Sequence, residues 1–444
     1  MKKQVLKTIV AVVSLVALWA PLQAQDTLKL TLDEALEIAL SENLTVKVAD
    51  MEITKVGYAK KGTYASLYPQ IDFSAAYQGA IKKQVVAFAG QTIEMGKNHT
   101  WSTGFSMGMP LVNVPLWKSL KIAAMDVELA VEKARASRQD MVAQVQQTFY
   151  AVLMAHDSYE VYKENYNNVL NDYNDVKEQY ENGKVAKFDF VRAEVALQSA
   201  QPAMFDAKNN IELCLWKLKA VLGLDLNMEI ACVGSLDGFK GQLENVDRNQ
   251  DYSLEGNSTL KQLEIQDEML HTSYKAQLAK YYPSLNLQMS YQWIAMEDNM
   301  KFSQYKWNPY STAAVALSIP IFSGWNRYNS VKQTQVQRQQ LQLQKENAVR
   351  ELEVAVRQCL NSMETCLKQY DVAQAGVESA ELGYSIAQKM YEVGSGTLLQ
   401  LQDSQLALLQ AKLNLNQSVY NYLVAKSSLD KILGVNGNNV EENK

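Results

Sequence analysis

The chain has 444 residues, with 43 Lys and Arg against 48 Asp and Glu and a formal charge of −5, which excludes a nucleic-acid binder that must neutralise phosphates with a net positive face. Charged residues at 20% and hydrophobic ones at 47% exclude a disordered chain, and a mean hydropathy of −0.23 argues against a protein of many membrane-spanning helices. With Cys 4 and His 3, a disulfide-stapled or multi-metal design is excluded too.

In chain order, Lys2, Lys3 and Lys7 precede an apolar run from Ile9 to Ala20 that ends near Pro21-Leu22-Gln23-Ala24. A basic start, a short apolar stretch and a small residue before the cut describe a signal peptide over 1–24. The run is shorter than the roughly 20 residues a spanning helix needs. Thr31 and Glu34 then fit a capping box opening a helix.

Next come strands. Ile71, Phe73, Ala75 and Tyr77 alternate with Asp72, Ser74, Ala76 and Gln78. Trp101, Thr103, Phe105, Met107 and Met109 alternate with Ser102, Gly104, Ser106 and Gly108. Further on, Leu285, Leu287, Met289, Tyr291 and Trp293 alternate with Asn286, Gln288, Ser290 and Gln292, and Ala313, Val315, Leu317 and Ile319 with Thr312, Ala314, Ala316 and Ser318. Period-2 patterning gives each strand one apolar and one polar face. The polar faces hold small neutral residues, as a wet lumen accepts, and aromatic residues such as Tyr68, Trp101, Tyr282, Trp293, Trp307 and Tyr310 fall near strand ends, where an interfacial belt belongs. The pattern therefore predicts transmembrane strands whose lumen residues are Asp72, Ser74, Gln78, Ser102 and Ser106 in the first pair. In the second pair they are Asn286, Gln288, Ser290, Gln292, Thr312 and Ser318. Four strands cannot close a barrel, and open edges are not tolerated in lipid. The chain must borrow strands from copies of itself: two copies would give a narrow plugged barrel, three a wider pore.

Long helices follow each strand pair. From Leu116 to Asn182 there is neither Gly nor Pro, and at 1.5 Å per residue such a helix reaches on the order of 100 Å. Its counterpart runs from Asn326 to Val393, and both lead through Gly-bearing turns into a shorter returning helix. The returning helices repeat large and small residues at a seven-residue step: Leu401, Leu408, Leu415, Tyr422 and Leu429 with Ser404, Ala411, Ser418 and Ala425. In the first copy, Phe190, Leu197, Met204, Ile211 and Leu218 run with Ala193, Ala200, Ala207 and Cys214. That is a knobs-into-holes seam. A second stripe, Leu399, Leu406, Leu413 and Tyr420, calls for a second neighbour, as in a closed helical wall. Pro202 lies inside the first returning helix and removes one backbone hydrogen bond.

The chain is written twice. Leu67-Tyr68-Pro69, Met109-Pro110-Leu111, Tyr180-Glu181-Asn182-Gly183 and Val221-Leu222-Gly223 return in the same order as Tyr281-Tyr282-Pro283, Ile319-Pro320-Ile321, Tyr391-Glu392-Val393-Gly394 and Ile432-Leu433-Gly434. Repeats of this kind organise the whole fold. The first copy covers 25–224, with a β-hairpin at about 69–112 and a helical hairpin at about 116–222. A linker at 225–257 joins it to the second, 258–435, with hairpins at about 283–322 and 326–433, and a polar tail closes the chain at 436–444.

Chemistry is sparse. Cys359 and Cys366, on one helix face, would lie about 10 Å apart, beyond disulfide reach, and His99, His156 and His271 have no metal-ligand spacing. Gly394-Ser395-Gly396-Thr397 lacks the Lys and preceding strand of a phosphate loop and reads as a hairpin turn. Neither an enzyme nor a cofactor is expected.

These residues resemble the TolC-like outer membrane efflux protein family. Thr31-Leu32-Asp33-Glu34-Ala35-Leu36 is similar to its opening helix, Ile319-Pro320-Ile321-Phe322-Ser323-Gly324 to its strand-to-helix junction, and Tyr391 to Leu399 to its second hairpin tip. The resemblance implies a mainly α fold with transmembrane β: long coiled-coil hairpins form a periplasmic barrel, and four strands per chain enter a shared twelve-stranded outer-membrane barrel of a homotrimer. It also implies a passive outer-membrane channel that exports small molecules, partnered by a periplasmic adaptor and an inner-membrane pump. The adaptor would dock on the tips, here Tyr180, Gly183, Lys184 and Lys187 in the first and Tyr391, Gly394, Ser395, Gly396 and Thr397 in the second. Known members close with an acidic constriction just before the second tip. At the corresponding positions this chain has Ser385 and Gln388, with Glu378, Glu381 and Glu392 nearby, and these five form the candidate gate. Two rivals are a type I protein-secretion duct of the same architecture and a periplasmic coiled-coil scaffold that forms no channel.

Overall fold

The computed structural model describes residues 28–88, 91–243 and 252–435, so the expected signal peptide and polar tail lie outside the described residues. In chain order the elements are β1 (Leu28–Leu30), α1 (Leu32–Glu42), α2 (Leu44–Ala65), β2 (Gln70–Gly79), β3 (Gln84–Phe88), β4 (Gln91–Met95) and β5 (His99–Val112). Then follow α3 (Val114–Glu181), α4 (Lys187–Leu222), β6 (Ile230–Cys232), α5 (Ser258–Ala279), β7 (Ser284–Glu297), β8 (Asn308–Ser318), α6 (Asn326–Glu392) and α7 (Leu398–Leu433). The fold is mainly α, with helical hairpins that recur in the two halves: α3 has 68 residues and α6 has 67, while α4 and α7 each have 36. Among the described residues no helix is long and apolar enough to cross a membrane.

Contacts divide the chain into two compact units that cut across the repeats. Among the described residues, a helical unit holds 28–47, 138–243, 252–253 and 354–435; a sheet unit holds Val48–Ser137 and Leu254–Glu353.

In the helical unit, α1 starts as its sequence requires. The Thr31 backbone N–H donates to Glu34 Oε2 at 2.8 Å, and the Thr31 hydroxyl accepts from the Glu34 N–H. The first helix of the repeat is nevertheless two helices. Buried Asn43 breaks it, because its side chain donates to the Val221 carbonyl at 2.6 Å and accepts from the Thr45 N–H at 2.7 Å. The 225–257 linker is also more than a connection, since β6 pairs in parallel with β1, Leu28 against Ile230, and Leu236 beyond it is buried. Cys232, at the end of β6, is a free thiol that burial pushes up to about 12, which makes it a poor nucleophile.

The core of this unit is built from Val145, Phe149 and Leu153 of α3 together with Leu401, Tyr422 and Leu423 of α7, all almost fully buried. One seam of α7 is therefore satisfied within the chain. The second is open at its tip end, where Leu399 is 44% exposed and Leu406 52%, and half-buried at Leu413 and Tyr420. Pro202 sits exposed inside an unbroken α4.

In the sheet unit, β2, β5, β7 and β8 form one antiparallel sheet in the order β2-β5-β7-β8. The central β5–β7 pair joins the two repeats, and Gly104 makes it possible: a Cβ there would stand 2.4 Å from the Tyr291 carbonyl oxygen. Between β2 and β5 the chain adds a small separate hairpin, β3–β4, that the alternation did not announce. The second strand pair ends at Ser318, earlier than the expected 322. Pro320 has no N–H to give a ladder, and Gly324 and Trp325, at φ 59° and 66°, turn the chain into α6.

Candidate functional site

Antiparallel partners share a face, so register decides whether the polar residues of different strands coincide. Here they do. Asp72 stands opposite Ser106, Ser74 opposite Gly104, and Gln78 opposite Thr100. Gly104 faces Gln292 in turn, Ser106 faces Ser290, Gly108 faces Gln288, Pro110 faces Asn286 and Ser102 faces Ile294. Across the last pair, Ser290 meets Thr312, Ser284 meets Ser318, and Gln288 and Asn286 meet Ala314 and Ala316. All the sequence-predicted lumen residues thus lie on one face of the sheet. Hydrogen bonds run along it, Ser290 to Thr312 at 2.7 Å and the Tyr310 hydroxyl to the Gln292 side-chain oxygen Oε1. Asp72 is the only carboxylate that the strands place on this face.

The opposite face carries Ile71, Phe73, Met107, Phe105, Met289 and Val315, and it is open: Ile71 is 68% exposed, Phe73 60% and Val315 60%. Both outer strands are exposed along their whole length. At the loop end of the sheet, Asp298 ties the loops of the two repeats together. Its carboxylate accepts from Lys83 and Lys97, each at 2.8 Å, and from the Asn98 N–H, which together hold it well below the usual carboxylate range. Beside this clamp Trp101 packs between Tyr77 and the edge of Phe302.

The predicted tip residues lie in the helical unit, and the structure brings the two tips together. At each tip a glycine in the left-handed region ends the long helix: Gly183 at φ 71° and Gly394 at φ 73°. The Gly183 and Lys184 N–H groups donate to Tyr180 and Gln179, and the Gly394 and Ser395 N–H groups donate to Tyr391 and Met390, so one turn is built twice. The Gly396 N–H also reaches Met390, and Thr397 caps α7 with Gln400 in a capping box. Buried Val176 of α3, Ala193 of α4 and Leu398 of α7 form a shared cluster, against which Tyr173, Val185, Phe190 and Tyr391 pack, and Tyr180 stacks on Phe190 at 5.0 Å. Lys184 and Lys187 remain exposed, as are Phe188 at 71% in the first tip and Val393 at 78% in the second.

Of the five candidate gate residues, Glu378, Gln388 and Glu392 are exposed and Ser385 is half-buried. Glu381 is engaged: Lys412 of α7 lies 3.6 Å from it and 3.0 Å from Glu164 of α3, linking three helices. Closer to the tips lies a node that the sequence reading missed. Gln405 of α7 donates its amide to Asp172 of α3 and is hydrogen-bonded to the Tyr384 hydroxyl of α6. Burial pushes Asp172 up to about 6, against the Gln405 hydrogen bond that lowers it, while the Asp175 carboxylate raises it further. A signal was present: Gln405 occupies a core position in the series Leu398, Leu401, Gln405, Leu408, and it is buried.

The sequence matches the family described as outer membrane efflux protein over residues 35–224 and 251–435. No curated protein matches it. Among solved structures, the chain is similar to the CmeC outer membrane channel of Campylobacter jejuni, with a TM-score of 0.72 and 18% identity over 91% of this chain and 85% of that one. The open state of the MtrE outer membrane channel of Neisseria gonorrhoeae gives 0.73 and 17% over 91% and 88%. The outer membrane protein VceC of Vibrio cholerae gives 0.71 and 14% over 91% and 96%. At these identities the likeness is one of fold.

Proposed function

This chain belongs to the outer membrane efflux protein family, and we propose that it is the outer-membrane channel of a tripartite efflux system, a passive homotrimeric conduit that carries small molecules to the exterior. One observation carries the reading. The sheet has four strands, a neutral polar face, an exposed apolar face and two outer strands, β2 and β8, with no further strand beside them among the described residues. In lipid such edges must be paired, and the partner available in every molecule is the complementary edge of another copy. Three copies supply twelve strands. A closed barrel of about eight strands is filled by its own side chains, whereas a wider one leaves an aqueous lumen. Gly104, Gly108, Ala314 and Ala316 on the polar face favour an open lumen.

The exposed second stripe of α7 supports the same assembly, since Leu399 and Leu406 need a neighbour from outside the chain. The paired tips, with Phe188, Lys184, Lys187 and Val393 all exposed, suit docking of a periplasmic adaptor. The tip helices would repack to open the periplasmic end, which requires release of the Glu381–Lys412–Glu164 and Tyr384–Gln405–Asp172 links. The inner-membrane pump supplies the energy.

Planar-bilayer recording on the purified, detergent-extracted protein tests the proposal. Discrete conductance steps from an oligomer are expected; a protein that stays monomeric and passes no current would overturn it.

A further inference from the structure

All four helices that flank the sheet meet it at the same end. α2 leads into β2, β5 leaves into α3, α5 leads into β7 and β8 leaves towards α6, and the register sets Gln70 against Gly108, Pro110 against Asn286 and Ser284 against Ser318. Each approach carries two cations, at least one ring and no carboxylate. In 57–69 Lys60 and Lys61 stand among Tyr58, Tyr64 and Tyr68. In 113–124 Lys118 and Lys121 follow Trp117. In 272–283 Lys275 and Lys280 precede Tyr281 and Tyr282, and in 318–335 Arg327 and Lys332 accompany Phe322, Trp325 and Tyr328. Acids resume only farther along the same helices, at Glu52, Asp126, Glu268 and Glu346, and of these Glu268 pairs with Lys121 at 3.3 Å.

The rings face outwards: Tyr68 is 68% exposed, Phe322 73% and Trp325 68%. Cations are held against several of them. Lys61 lies 5.0 Å from the Tyr58 ring centre, Lys332 5.9 Å from that of Tyr328, and the Arg327 guanidinium 4.7 Å from that of Tyr281. Arg327 also donates to the Ser323 hydroxyl at 2.9 Å and the Pro320 carbonyl at 3.0 Å. These bonds pin the segment in which Trp325 takes a left-handed conformation that bulky residues seldom adopt.

We infer that this basic, aromatic collar seats in the headgroup layer on the helical side of the membrane and binds the phosphates of anionic phospholipids. Amphipathic rings concentrate at the headgroup level, and lysine stems lie along apolar surface with their charge in the polar layer. The collar continues directly from the apolar face of the sheet, and its charge complements a phosphate-bearing leaflet. The inference rests on the membrane-channel reading.

The test uses the intact oligomer in vesicles of phosphatidylcholine containing either dibrominated phosphatidylglycerol or dibrominated phosphatidylcholine. Fluorescence of Trp117 and Trp325, isolated as the difference between wild type and a Trp117→Phe/Trp325→Phe variant, reports lipid association at the collar. One lysine near an anionic surface is worth about fivefold, so the brominated phosphatidylglycerol should associate at least that much more strongly than the phosphatidylcholine. The preference should fall at least fivefold in a variant with Lys61→Gln, Lys275→Gln, Lys280→Gln and Lys332→Gln that still conducts. Equal quenching by the two lipids in wild type, or a preference undiminished by the substitutions, would overturn the collar while conductance upholds the channel. Absence of both quenching and conductance would overturn the two together.

Discussion

Met289 and Gln288 are neighbours in β7 but belong to opposite faces, and an arginine placed at each should have very different consequences. Met289 lies beside Met107 and Ala313 on the apolar face and is 44% exposed in the single chain. Gln288 lies beside Gly108 and Ala314, which leave room for a long side chain on the polar face. Met289 is five residues into the strand from Ser284. At about 3.3 Å per residue and a tilt near 40° it stands roughly 13 Å in, close to the middle of an apolar band about 25 Å tall. Met289→Arg should therefore cost about 2–4 kcal/mol per copy, while Gln288→Arg, facing water, should cost little. The assay is urea titration of the oligomer folded into lipid vesicles, followed by resistance of the assembled band to SDS. The Met289→Arg midpoint should fall well below wild type and that of Gln288→Arg should stay close to it. Equal losses would refute the assignment of the two faces.

Three further outcomes follow from the same geometry. Asp172 is raised from 3.8 to about 6 by burial, so between those pH values the folded state holds a proton that the unfolded state has lost, and stability falls as pH rises through that window; protection of α3 amides around Asp172, corrected for the intrinsic exchange rate at each pH, should be greater at pH 5 than at pH 7, and Asp172→Asn should flatten that difference. Gly104→Val would drive its side chain into the Tyr291 carbonyl and the Gln292 backbone, and should lower the urea midpoint by the equivalent of about 1–3 kcal/mol, the usual cost of overpacking. Leu399→Ser with Leu406→Ser touches an exposed stripe, so circular dichroism of the folded chain should be unchanged while the oligomer dissociates at lower detergent concentration; an unaltered oligomer would show that the stripe has no neighbour.

Much of this architecture could be read along the chain. A stretch free of Gly and Pro from Leu116 to Asn182 became one helix, Val114–Glu181, because helix propagation depends on neighbours a turn apart. Alternation marked which residues of each strand share a face, because successive side chains of an extended chain point opposite ways. Other features escaped. The break at Asn43 depends on a bond to Val221, and β1 and β6, of three residues each, are too short for any period to show. Glu381, a candidate gate acid, turned out to be tied to Lys412, and the Tyr384–Gln405–Asp172 node joins helices that only packing brings together.

Composition and periodicity by themselves determined the helix lengths, the strand faces and the incompleteness of a four-stranded sheet, since each is carried by residues within a few positions of one another, and the repeat showed as short motifs that recur in order. Tertiary structure alone decided that the polar faces of four strands from both repeats coincide, that the two tips share one apolar cluster, and which acids find partners. Those outcomes depend on contacts between segments as much as about two hundred residues apart, and no local pattern encodes which of the many possible distant pairings has the lowest free energy.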